Sequence, residues 1–387
     1  MSKLKNKILY IINADWYFDL HWLERAIHFR DLGYEIHIAM PVTEDSIFER
    51  LSRQGLSIHP VHIERTSMSV LKEICILNKL RKIISTISPD LIHSVTIKPN
   101  LYATILCKYL KIPLVSTYAG LGTLGVSQNL KYRIARKVIF AILKKSSRSQ
   151  CNYSFFENEE DLNLLCNEGV IPYSRSERVF GAGINLEYFS FSSYDAGKQQ
   201  LTVLFASRLL KNKGLSLLFE SVKELQNKGV NIVLRIAGIF DSDSPFAYTV
   251  EEIEAMASYP YVEWLGKRDD IKELIADCDV VCLPTTYGEG VPRILIEACA
   301  VGRPVITTPL GGCKDICIND FNGFLVEPNS QKSISEALYK VSRDPRLINE
   351  LGINGRKLVE SKFSNQIVFK QHKDKYELLL EKNGARK

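Results

Sequence analysis

The sequence predicts an α/β protein that consists of two doubly wound, Rossmann-like domains. Short runs rich in β-branched residues recur along the 387 residues, and helical patterns separate several of them, as in parallel sheets built from βαβ units. A chain of this length is also too long for most single hydrophobic cores. A pause in the pattern at 180–191 predicts a linker, so we expect one domain at 1–183 and another at 184–365.

Each strand is predicted from a short apolar run that is followed by turn-forming or helix-forming residues. In the first half these runs lie at 7–12, 35–39, 56–59, 91–94 and 114–116. In the second half they lie at 202–206, 232–237, 262–265, 280–283, 305–307 and 324–326. Amphipathic spacing predicts helices near 20–31, 214–227, 270–276, 293–301 and 331–342. Doubly wound sheets bind ligands at the carboxyl ends of their strands, so we expect functional residues there.

The composition argues against several classes of protein. The basic N-terminal segment has an apolar run at 8–12 that is too short for a secretion signal, and no later run is long enough to cross a bilayer. The nine cysteines form no CxxC pair, which indicates small core side chains in a reducing compartment. We therefore expect a cytoplasmic protein that uses no metal ion and no other cofactor.

The charges are unevenly distributed, although the formal net charge is only +6. No acidic residue occurs between Asp90 and Glu157, whereas ten lysines and arginines do. Such a field favours an anionic partner, namely a nucleic acid, an anionic membrane or a phosphorylated substrate. The nearly neutral second half argues against a nucleic acid. A solvated basic face without a specific partner is the plain alternative.

The segment with the most chemical information is 284–312, PTTYGEGVPRILIEACAVGRPVITTPLGG. Pro292 occupies the position of a first helical residue, where its missing N–H costs nothing. The predicted helix therefore begins just after Glu289, and its free N–H groups and positive dipole end face whatever Glu289 contacts. An anion at a helix N-terminus, beside a carboxylate that binds hydroxyls, describes a nucleotide-sugar site. Two solvated glutamates, Glu289 and Glu297, in an ordinary strand–loop–helix unit are the alternative.

This segment resembles the nucleotide-binding signature of glycosyltransferase family 4, whose members are retaining enzymes of GT-B architecture. The matching residues are, in chain order, Glu289, Gly290, Pro292, Glu297, Ala298, Gly302, Pro304, Val305, Gly311 and Gly312, followed by the run 322–326. Asp315 departs from the pattern, since the family usually has glutamate there. The resemblance implies two domains that face each other across a cleft, with the last segment, about 366–387, returning to the first domain.

The resemblance also implies that the C-terminal domain binds a nucleotide sugar. Arg208 and Lys213, which follow its first strand, would stabilise the negative charge that develops on the leaving nucleoside diphosphate, without a metal ion. Glu289 would bind hydroxyls of the donor sugar, and Glu297 would bind the ribose. The other residues expected to bind the donor are Gly290, Val291, Pro292, Arg293 and Ile294 around the helix start, and Gly238, Gly266, Lys267 and Arg268 near the base.

Each of these roles has a plainer alternative. Arg208 and Lys213 are in that case solvated side chains at the end of a strand. Arg293 and Glu297 stand four residues apart on the predicted helix, so a surface ion pair accounts for them equally well.

The first domain is similar to that of family members that elongate sugars on polyprenyl diphosphate. His93, at a predicted strand end, stands where relatives often have His-x-His. It is either a catalytic residue that contacts the donor sugar or a histidine packed at the end of the strand. Thr96 and Lys98, just beyond, would contact the diphosphate of the donor or the acceptor.

Two further features of the first domain are expected to bind the acceptor. His21 would reach the acceptor, or else it is a surface histidine at a helix N-terminus. Gly120 and Gly122 begin a glycine-rich loop that would bind acceptor phosphates. The loop has GxGxxG spacing, but it lacks the acidic residue about 20 positions on that a dinucleotide site needs.

A basic helix is predicted after the glycine loop. Its apolar residues recur at helical spacing and are expected to pack against the core: Ala135, Val138, Ile139, Ile142 and Leu143. Four basic residues lie mainly on the other face: Arg133, Arg136, Lys137 and Lys144. We expect this face to contact anionic lipid at the inner side of the cytoplasmic membrane, while a polyprenyl-diphosphate-linked acceptor approaches along it. A solvated basic face is the alternative.

One hypothesis joins these expectations: a retaining, metal-independent glycosyltransferase of bacterial surface polysaccharide or glycan biosynthesis, such as O-antigen or capsule. It would transfer a sugar, by the resemblance an N-acetylhexosamine, from a UDP-sugar to a polyprenyl-diphosphate-linked saccharide. The alternatives are a sugar-nucleotide 2-epimerase and a nonenzymatic protein that binds sugars or anions. The set of two glutamates and two cations argues against the epimerase, and the missing export signal argues against a periplasmic sugar receptor.

Overall fold

A computed structural model describes residues 6–64, 69–121, 130–146, 151–195, 197–241 and 244–384. The chain divides into two compact units, Met1–Gly183 with Gln366–Lys387, and Ile184–Asn365. We refer to these as the N-terminal unit and the C-terminal unit. Each contains one parallel sheet connected through helices, which confirms the predicted α/β fold class.

The N-terminal unit is built on a seven-stranded parallel sheet with the order β3-β2-β1-β4-β5-β6-β7. Its strands are β1 Lys7–Ile11, β2 Glu35–Met40, β3 Ser57–Pro60, β4 Leu91–Val95, β5 Leu114–Tyr118, β6 Asn152–Phe156 and β7 Ser176–Arg178. Its helices before the linker are α1 Asp15–His21, α2 Leu23–Asp31, α3 Asp45–Arg53, α4 Val70–Ile87, α5 Ile97–Leu110, α6 Leu130–Ser146 and α7 Glu159–Asn167. The strand order reverses between β1 and β4.

Alternation along β1 explains why helices cover both faces of this sheet. Ile8 and Tyr10 pack with Trp22 at the junction of α1 and α2, whereas Leu9 and Ile11 pack in a second cluster with residues of α4 and α5. Successive side chains of a strand point to opposite faces, so a strand that is apolar throughout must be buried on both sides.

The C-terminal unit is built on a six-stranded parallel sheet with the order β10-β9-β8-β11-β12-β13. Its strands are β8 Leu201–Arg208, β9 Ile232–Ile239, β10 Val262–Gly266, β11 Val280–Leu283, β12 Val305–Thr307 and β13 Gly323–Leu325. Its helices are α8 Leu215–Asn227, α9 Val250–Ala257, α10 Ile271–Asp277, α11 Arg293–Val301, α12 Cys313–Ile316, α13 Gln331–Arg343 and α14 Pro345–Lys362.

The last helix, α15 Asn365–Gly384, packs on the sheet of the N-terminal unit. Tyr376 is fully buried there, in the same apolar cluster as Trp22. Arg25 of α2, 1% exposed, donates hydrogen bonds to His372 Nε2 at 3.0 Å and to the carbonyl oxygen of Ala182 at 2.7 Å. Apolar burial and a buried polar contact thus both attach the C-terminal segment to this unit.

Every predicted strand exists, with ends that differ by at most two residues. The prediction missed β6 and β7, because β6 begins with the polar but buried pair of Asn152 and Ser154 around Tyr153, and β7 consists of only three polar residues. It also missed the helices α3, α4, α5, α7, α9, α12 and α14. The helix predicted at 20–31 is in fact two helices, which meet at Trp22.

Among the described residues, no helix combines the length and the apolar character that crossing a bilayer requires.

Candidate active site

The carboxyl ends of β8 and β11 lie side by side at the point where the order of the C-terminal sheet reverses. Arg208 is the last residue of β8, and the loop 284–292 follows β11. Doubly wound sheets bind ligands in the crevice at such a switch point. The two predicted cations and Glu289 are therefore brought to the same edge of one sheet.

Close backbone packing fixes the loops that carry these side chains. Gly214, which follows Lys213, has a φ of +82°, and a Cβ on it would lie 2.1 Å from the carbonyl oxygen of Pro284. A Cβ on Gly312 would lie 2.7 Å from the carbonyl carbon of Gly290. Both positions exclude any side chain. The loops after β8 and β12 are thereby held directly against the loop after β11.

Lys213 and Glu289 form an ion pair within this frame. The Lys213 ammonium donates a hydrogen bond to Glu289 Oε2, and the two side chains are 7% and 13% exposed. The ammonium also lies 5.1 Å from the centre of the Tyr287 ring. Burial is the largest single effect and lowers the pKa of Lys213, but the charge of Glu289, Tyr287 and the hydrogen bond to Glu289 together outweigh it, and the net pKa is raised. Lys213 is therefore a buried, fixed positive charge.

Arg208 forms a second ion pair, with Asp241. Arg208 Nη1 donates to Asp241 Oδ2 at 2.6 Å, and the side chains are 25% and 10% exposed. The positive charge of Arg208 also acts on Lys213, whose pKa it lowers. The two cations are thus close enough to influence each other, as a site for a diphosphate requires.

Helix α11 spans Arg293–Val301, which confirms the helix predicted at 293–301. Pro292 has an extended ψ of 124° and is the N-cap, and its carbonyl oxygen accepts from the Leu295 amide at 3.1 Å. The prediction that Pro292 is the first helical residue is therefore wrong by one position. Its fixed φ is compatible with either place, so the sequence alone does not separate them. The helix still begins shortly after Glu289.

Glu297 lies on α11 and is buried, with 6% of its surface exposed. Arg293 Nε donates to Glu297 Oε1 at 2.7 Å, and the two side chains are 14% and 8% exposed. The predicted alternative of a surface ion pair is therefore wrong in its location, because the pair is shielded from solvent. This contact fixes the Glu297 carboxylate one helical turn away from the helix N-terminus.

The remaining predicted donor residues lie along the same edge of the sheet. A Cβ on Gly238, near the end of β9, would lie 2.2 Å from the carbonyl oxygen of Ser207. Gly266 ends β10 with a φ of +70° and has open space around it. Lys267 is exposed, and so is Arg268, which is paired with an aspartate. In the chain after Glu289, Gly290 and Val291 are buried and Ile294 is half-buried.

Of the two roles expected for His93, contact with the donor sugar or packing at the end of the strand, the structure shows the packing. The side chain is fully buried in β4. Nε2 lies 2.8 Å from Thr117 Oγ1, and Nδ1 is hydrogen bonded to the Tyr376 hydroxyl. Burial, and then the charge of Arg25, lower the pKa of His93 well below its ordinary value. Both ring nitrogens are therefore used inside the core, and the ring is neutral.

Thr96 and Lys98 lie at the start of α5, beside the switch point of the N-terminal sheet. Thr96 has a φ of +73°, which is rare for a β-branched residue, and its buried hydroxyl has no hydrogen-bond partner among the described residues. Lys98 is engaged elsewhere, because its ammonium donates to Glu73 and to the carbonyl oxygen of Glu64, both at 2.8 Å. Thr96 thus remains a candidate contact, whereas Lys98 links α4 to α5.

The structure places the other predicted acceptor residues at separate points of the N-terminal unit. His21 ends α1 and its ring packs at a tilt against Tyr17, with ring centres 4.4 Å apart, so its expected place at a helix N-terminus is wrong. The cause is that the helix begins earlier than predicted. Gly120 has a φ of +110°, and the next amide donates to Asp161 at 2.9 Å. Gly122 lies outside the described residues.

Helix α6 exposes apolar as well as basic side chains. The expectation that Val138 packs in the core is wrong: it is 53% exposed, whereas Leu143 is 2% exposed. Helical spacing places apolar and basic exposed residues on one side, and we call these six the exposed face of α6: Leu130, Arg133, Ile134, Lys137, Val138 and Lys144. Arg136, also predicted to be there, is half-buried at its border.

No group of three or more His, Cys, Asp or Glu side chains arranged to hold a metal occurs in the part of the chain that the structure describes.

Sequence reasoning missed two residues of the site, Asp241 and Tyr287. Asp241 follows β9, so the rule that ligands bind at strand ends is a signal that points to it. Tyr287 lies in the signature segment itself, between β11 and Glu289. Neither belongs to the matched signature, and only the folded chain shows that each contacts one of the cations.

The comparison with protein families covers both units. The model of the family described as "Glycosyl transferases group 1" matches residues 189–358. The model of the family described as "Glycosyl transferase 4-like" matches residues 7–150. Together the two matches include all the residues predicted to bind the donor.

The two models together match most of the chain, which places it among the glycosyltransferases. Among its relatives is the N,N'-diacetylbacillosaminyl-diphospho-undecaprenol alpha-1,3-N-acetylgalactosaminyltransferase of Campylobacter jejuni, 27% identical over 84% of this chain and 86% of that protein. The capsular polysaccharide biosynthesis glycosyltransferase CapM of Staphylococcus aureus is 32% identical, over 47% of each chain.

Solved structures show that this glycosyltransferase has the GT-B fold. The crystal structure of Anabaena Alr3699/HepE in complex with UDP and glucose matches with a TM-score of 0.78 and 18% identity, over 96% of this chain and 99% of that one. Identity at this level supports the fold alone. The relatives place the chain among glycosyltransferases of bacterial polysaccharide biosynthesis.

The buried ion pair of the site makes a prediction about stability. Lys213→Met leaves the Glu289 carboxylate largely buried without its ammonium partner. We therefore expect the free energy of unfolding, measured in urea, to fall by about 3 kcal/mol. Glu289→Gln in the same chain removes the isolated charge and is expected to restore more than half of that loss.

Lys211→Met is the matched control, because Lys211 is paired with Glu252 at 2.7 Å but is 53% exposed. For this variant we expect the free energy of unfolding to fall by less than about 1 kcal/mol. If Lys213→Met cost no more than this control, the ion pair would not have the buried character described above.

Proposed function

We propose that this glycosyltransferase is a retaining enzyme that transfers a sugar from a UDP-sugar to a polyprenyl-diphosphate-linked saccharide. The observation that carries the proposal is the meeting of Arg208, Lys213 and Glu289 at the switch point of the C-terminal sheet. Two neighbouring cations suit a diphosphate, and a carboxylate beside them suits sugar hydroxyls.

In the proposed reaction the bond between the anomeric carbon and the phosphate oxygen breaks, and negative charge develops on the leaving UDP. Lys213 supports this role, because it is buried and its pKa is raised, so its charge is preformed and acts in surroundings of low dielectric constant. Arg208 adds a second positive charge. These two side chains stabilise the leaving group without a metal ion.

Retention is proposed to follow from attack on the same face of the sugar that UDP leaves. The acceptor hydroxyl forms the new bond to the anomeric carbon, and its proton passes to the departing phosphate oxygen. Glu289 orients the donor through the sugar hydroxyls, while Glu297 binds the ribose hydroxyls. The support for Glu297 is its fixed position on α11, shielded and oriented by Arg293.

The proposed substrates rest on the relatives. The Campylobacter relative is named as an N-acetylgalactosaminyltransferase that acts on a diphospho-undecaprenol-linked sugar, which supports an N-acetylhexosamine donor and a polyprenyl-linked acceptor here. The Anabaena protein, which shares the fold, was crystallised with UDP, and we propose the same nucleotide here. For the acceptor we propose contacts with Thr96, Gly120, Gly122 and His21 in the N-terminal unit.

An assay of UDP release tests the enzymatic proposal. The protein is incubated with a panel of UDP-sugars and a short-chain lipid diphosphate saccharide, and UDP and product are measured. We expect activity with a UDP-N-acetylhexosamine, and a loss of about a hundredfold or more in kcat/KM for Arg208→Ala combined with Lys213→Ala. The loss follows from the missing charge stabilisation of the leaving group.

Lys211→Ala is the control for this assay, because Lys211 lies in the same turn but is exposed and paired with Glu252. It should retain activity within about twofold, since exposed charges contribute little. Undiminished turnover in the double variant, with its folding verified by circular dichroism, would refute the assignment of the two cations.

We also propose that the chain lies on the inner face of the cytoplasmic membrane through the exposed face of α6. Leu130, Ile134 and Val138 are more than half exposed and alternate with basic residues, which is the composition of an interfacial helix. Each basic residue near an anionic surface contributes about 1 kcal/mol of attraction. The exposed apolar residues add a contribution that salt does not screen.

Vesicle co-sedimentation tests this location. Neutralising Arg133 and Lys137 should weaken binding to anionic vesicles by about thirtyfold at low salt. Ile134→Ser with Val138→Ser should weaken it at high salt as well. Neutralising Arg136, which is half-buried, should have a smaller effect. Unchanged retention in both the charge variant and the serine variant would exclude α6 as the membrane contact.

A further inference from the structure

Asp241 lies at the same carboxyl edge as the donor-site residues, yet the family signature gives it no role. β8 and β9 pair in parallel with Arg208 opposite Ile239, and Asp241 follows two residues later. The turn after β9 thus brings a carboxylate beside the guanidinium at the end of the neighbouring strand. This is the edge at which ligands of doubly wound sheets bind.

The contact between the two side chains is close and mostly shielded from solvent. Arg208 Nη1 and Asp241 Oδ2 are 2.6 Å apart, and the aspartate side chain is only 10% exposed. Shielded charge pairs are screened by salt much less than exposed ones. The charge of Asp241 therefore has a substantial effect on any anion that approaches Arg208.

The protein's own carboxylates already balance both cations of the site. Lys213 is paired with Glu289, and Arg208 with Asp241. Glu289 has a further task in the proposed reaction, because sugar hydroxyls are good hydrogen-bond donors to a carboxylate. Asp241 has no comparable partner on a diphosphate, whose oxygens are acceptors and carry the same sign of charge.

We propose that Asp241 is a competing counter-ion: the diphosphate of the donor takes over Arg208 at the expense of Asp241. The charge of Asp241 then weakens the binding of the nucleoside diphosphate. Without that charge, two cations beside one carboxylate hold UDP tightly and release it slowly. Asp241 is thus a residue that sets affinity for the nucleotide and favours product release. This inference rests on the proposed function of Arg208.

Isothermal titration of UDP tests the proposal. Asp241→Asn keeps the shape of the side chain and one oxygen acceptor for Arg208 but removes the charge. We expect it to bind UDP about tenfold more tightly than the parent protein at low salt, from the loss of one close like-charge repulsion. Most of the gain should persist as salt is raised, because the pair is shielded, whereas a purely structural role of Asp241 would make the substitution weaken UDP binding.

Asp320→Asn is the matched control. Asp320 lies in the same unit, is paired with Lys340 at 2.6 Å, and has a φ of +57° that asparagine also adopts readily. The Asp320→Asn variant changes the net charge by the same amount as Asp241→Asn. Its affinity for UDP should stay within about twofold of the parent, because exposed charges are screened. If the Asp241→Asn variant does not fold, the Asp241→Ser variant, which also lacks the charge, is used in its place.

The outcomes separate the inference from the proposed function. If the parent binds UDP, Arg208→Ala weakens that binding and the neutral Asp241 variant binds no more tightly than the parent, the counter-ion role is overturned while the donor site stands. If the parent does not bind UDP, the proposed function itself fails. Equal tightening in Asp241→Asn and Asp320→Asn would assign the effect to net charge and also overturn the inference.

Discussion

The ion pair between Lys213 and Glu289 is the interaction on which the candidate active site depends. It joins two loops that are 76 residues apart in the sequence, and glycines at 214 and 312 allow the backbones to approach closely enough for it to form. It also keeps a buried ammonium charged, because burial alone would lower its pKa. The same contact therefore determines both the geometry and the electrostatics of the donor side.

The N-terminal sheet uses its corresponding strand edge in another way. At its switch point, β4 carries His93, which is enclosed by Tyr376, Thr117 and neighbouring rings instead of facing a ligand. The charged chemistry is thus concentrated in the C-terminal unit. In the N-terminal unit, the Thr96 hydroxyl suits recognition of an acceptor, and the exposed face of α6 suits contact with a membrane surface. Neither feature suits the breaking of a bond.

Much of the fold could be predicted from the sequence, because buried parallel strands are apolar runs whose length and spacing are local properties. The polar strands β6 and β7 escaped that rule. Within the site, the signature located Glu289, Glu297 and the two cations, but not their partners, since Asp241 meets Arg208 only through the pairing of β8 with β9. The burial of His93 and the exposure of Val138 likewise depend on which neighbouring element covers each side chain, and periodicity alone does not contain that information.

A crystal structure with UDP bound would show directly whether Arg208 and Lys213 bind the diphosphate. We expect diphosphate oxygens within about 3 Å of both the Arg208 guanidinium and the Lys213 ammonium, with the ribose hydroxyls at Glu297. UDP bound elsewhere, with neither cation in contact with a phosphate oxygen, would contradict this expectation.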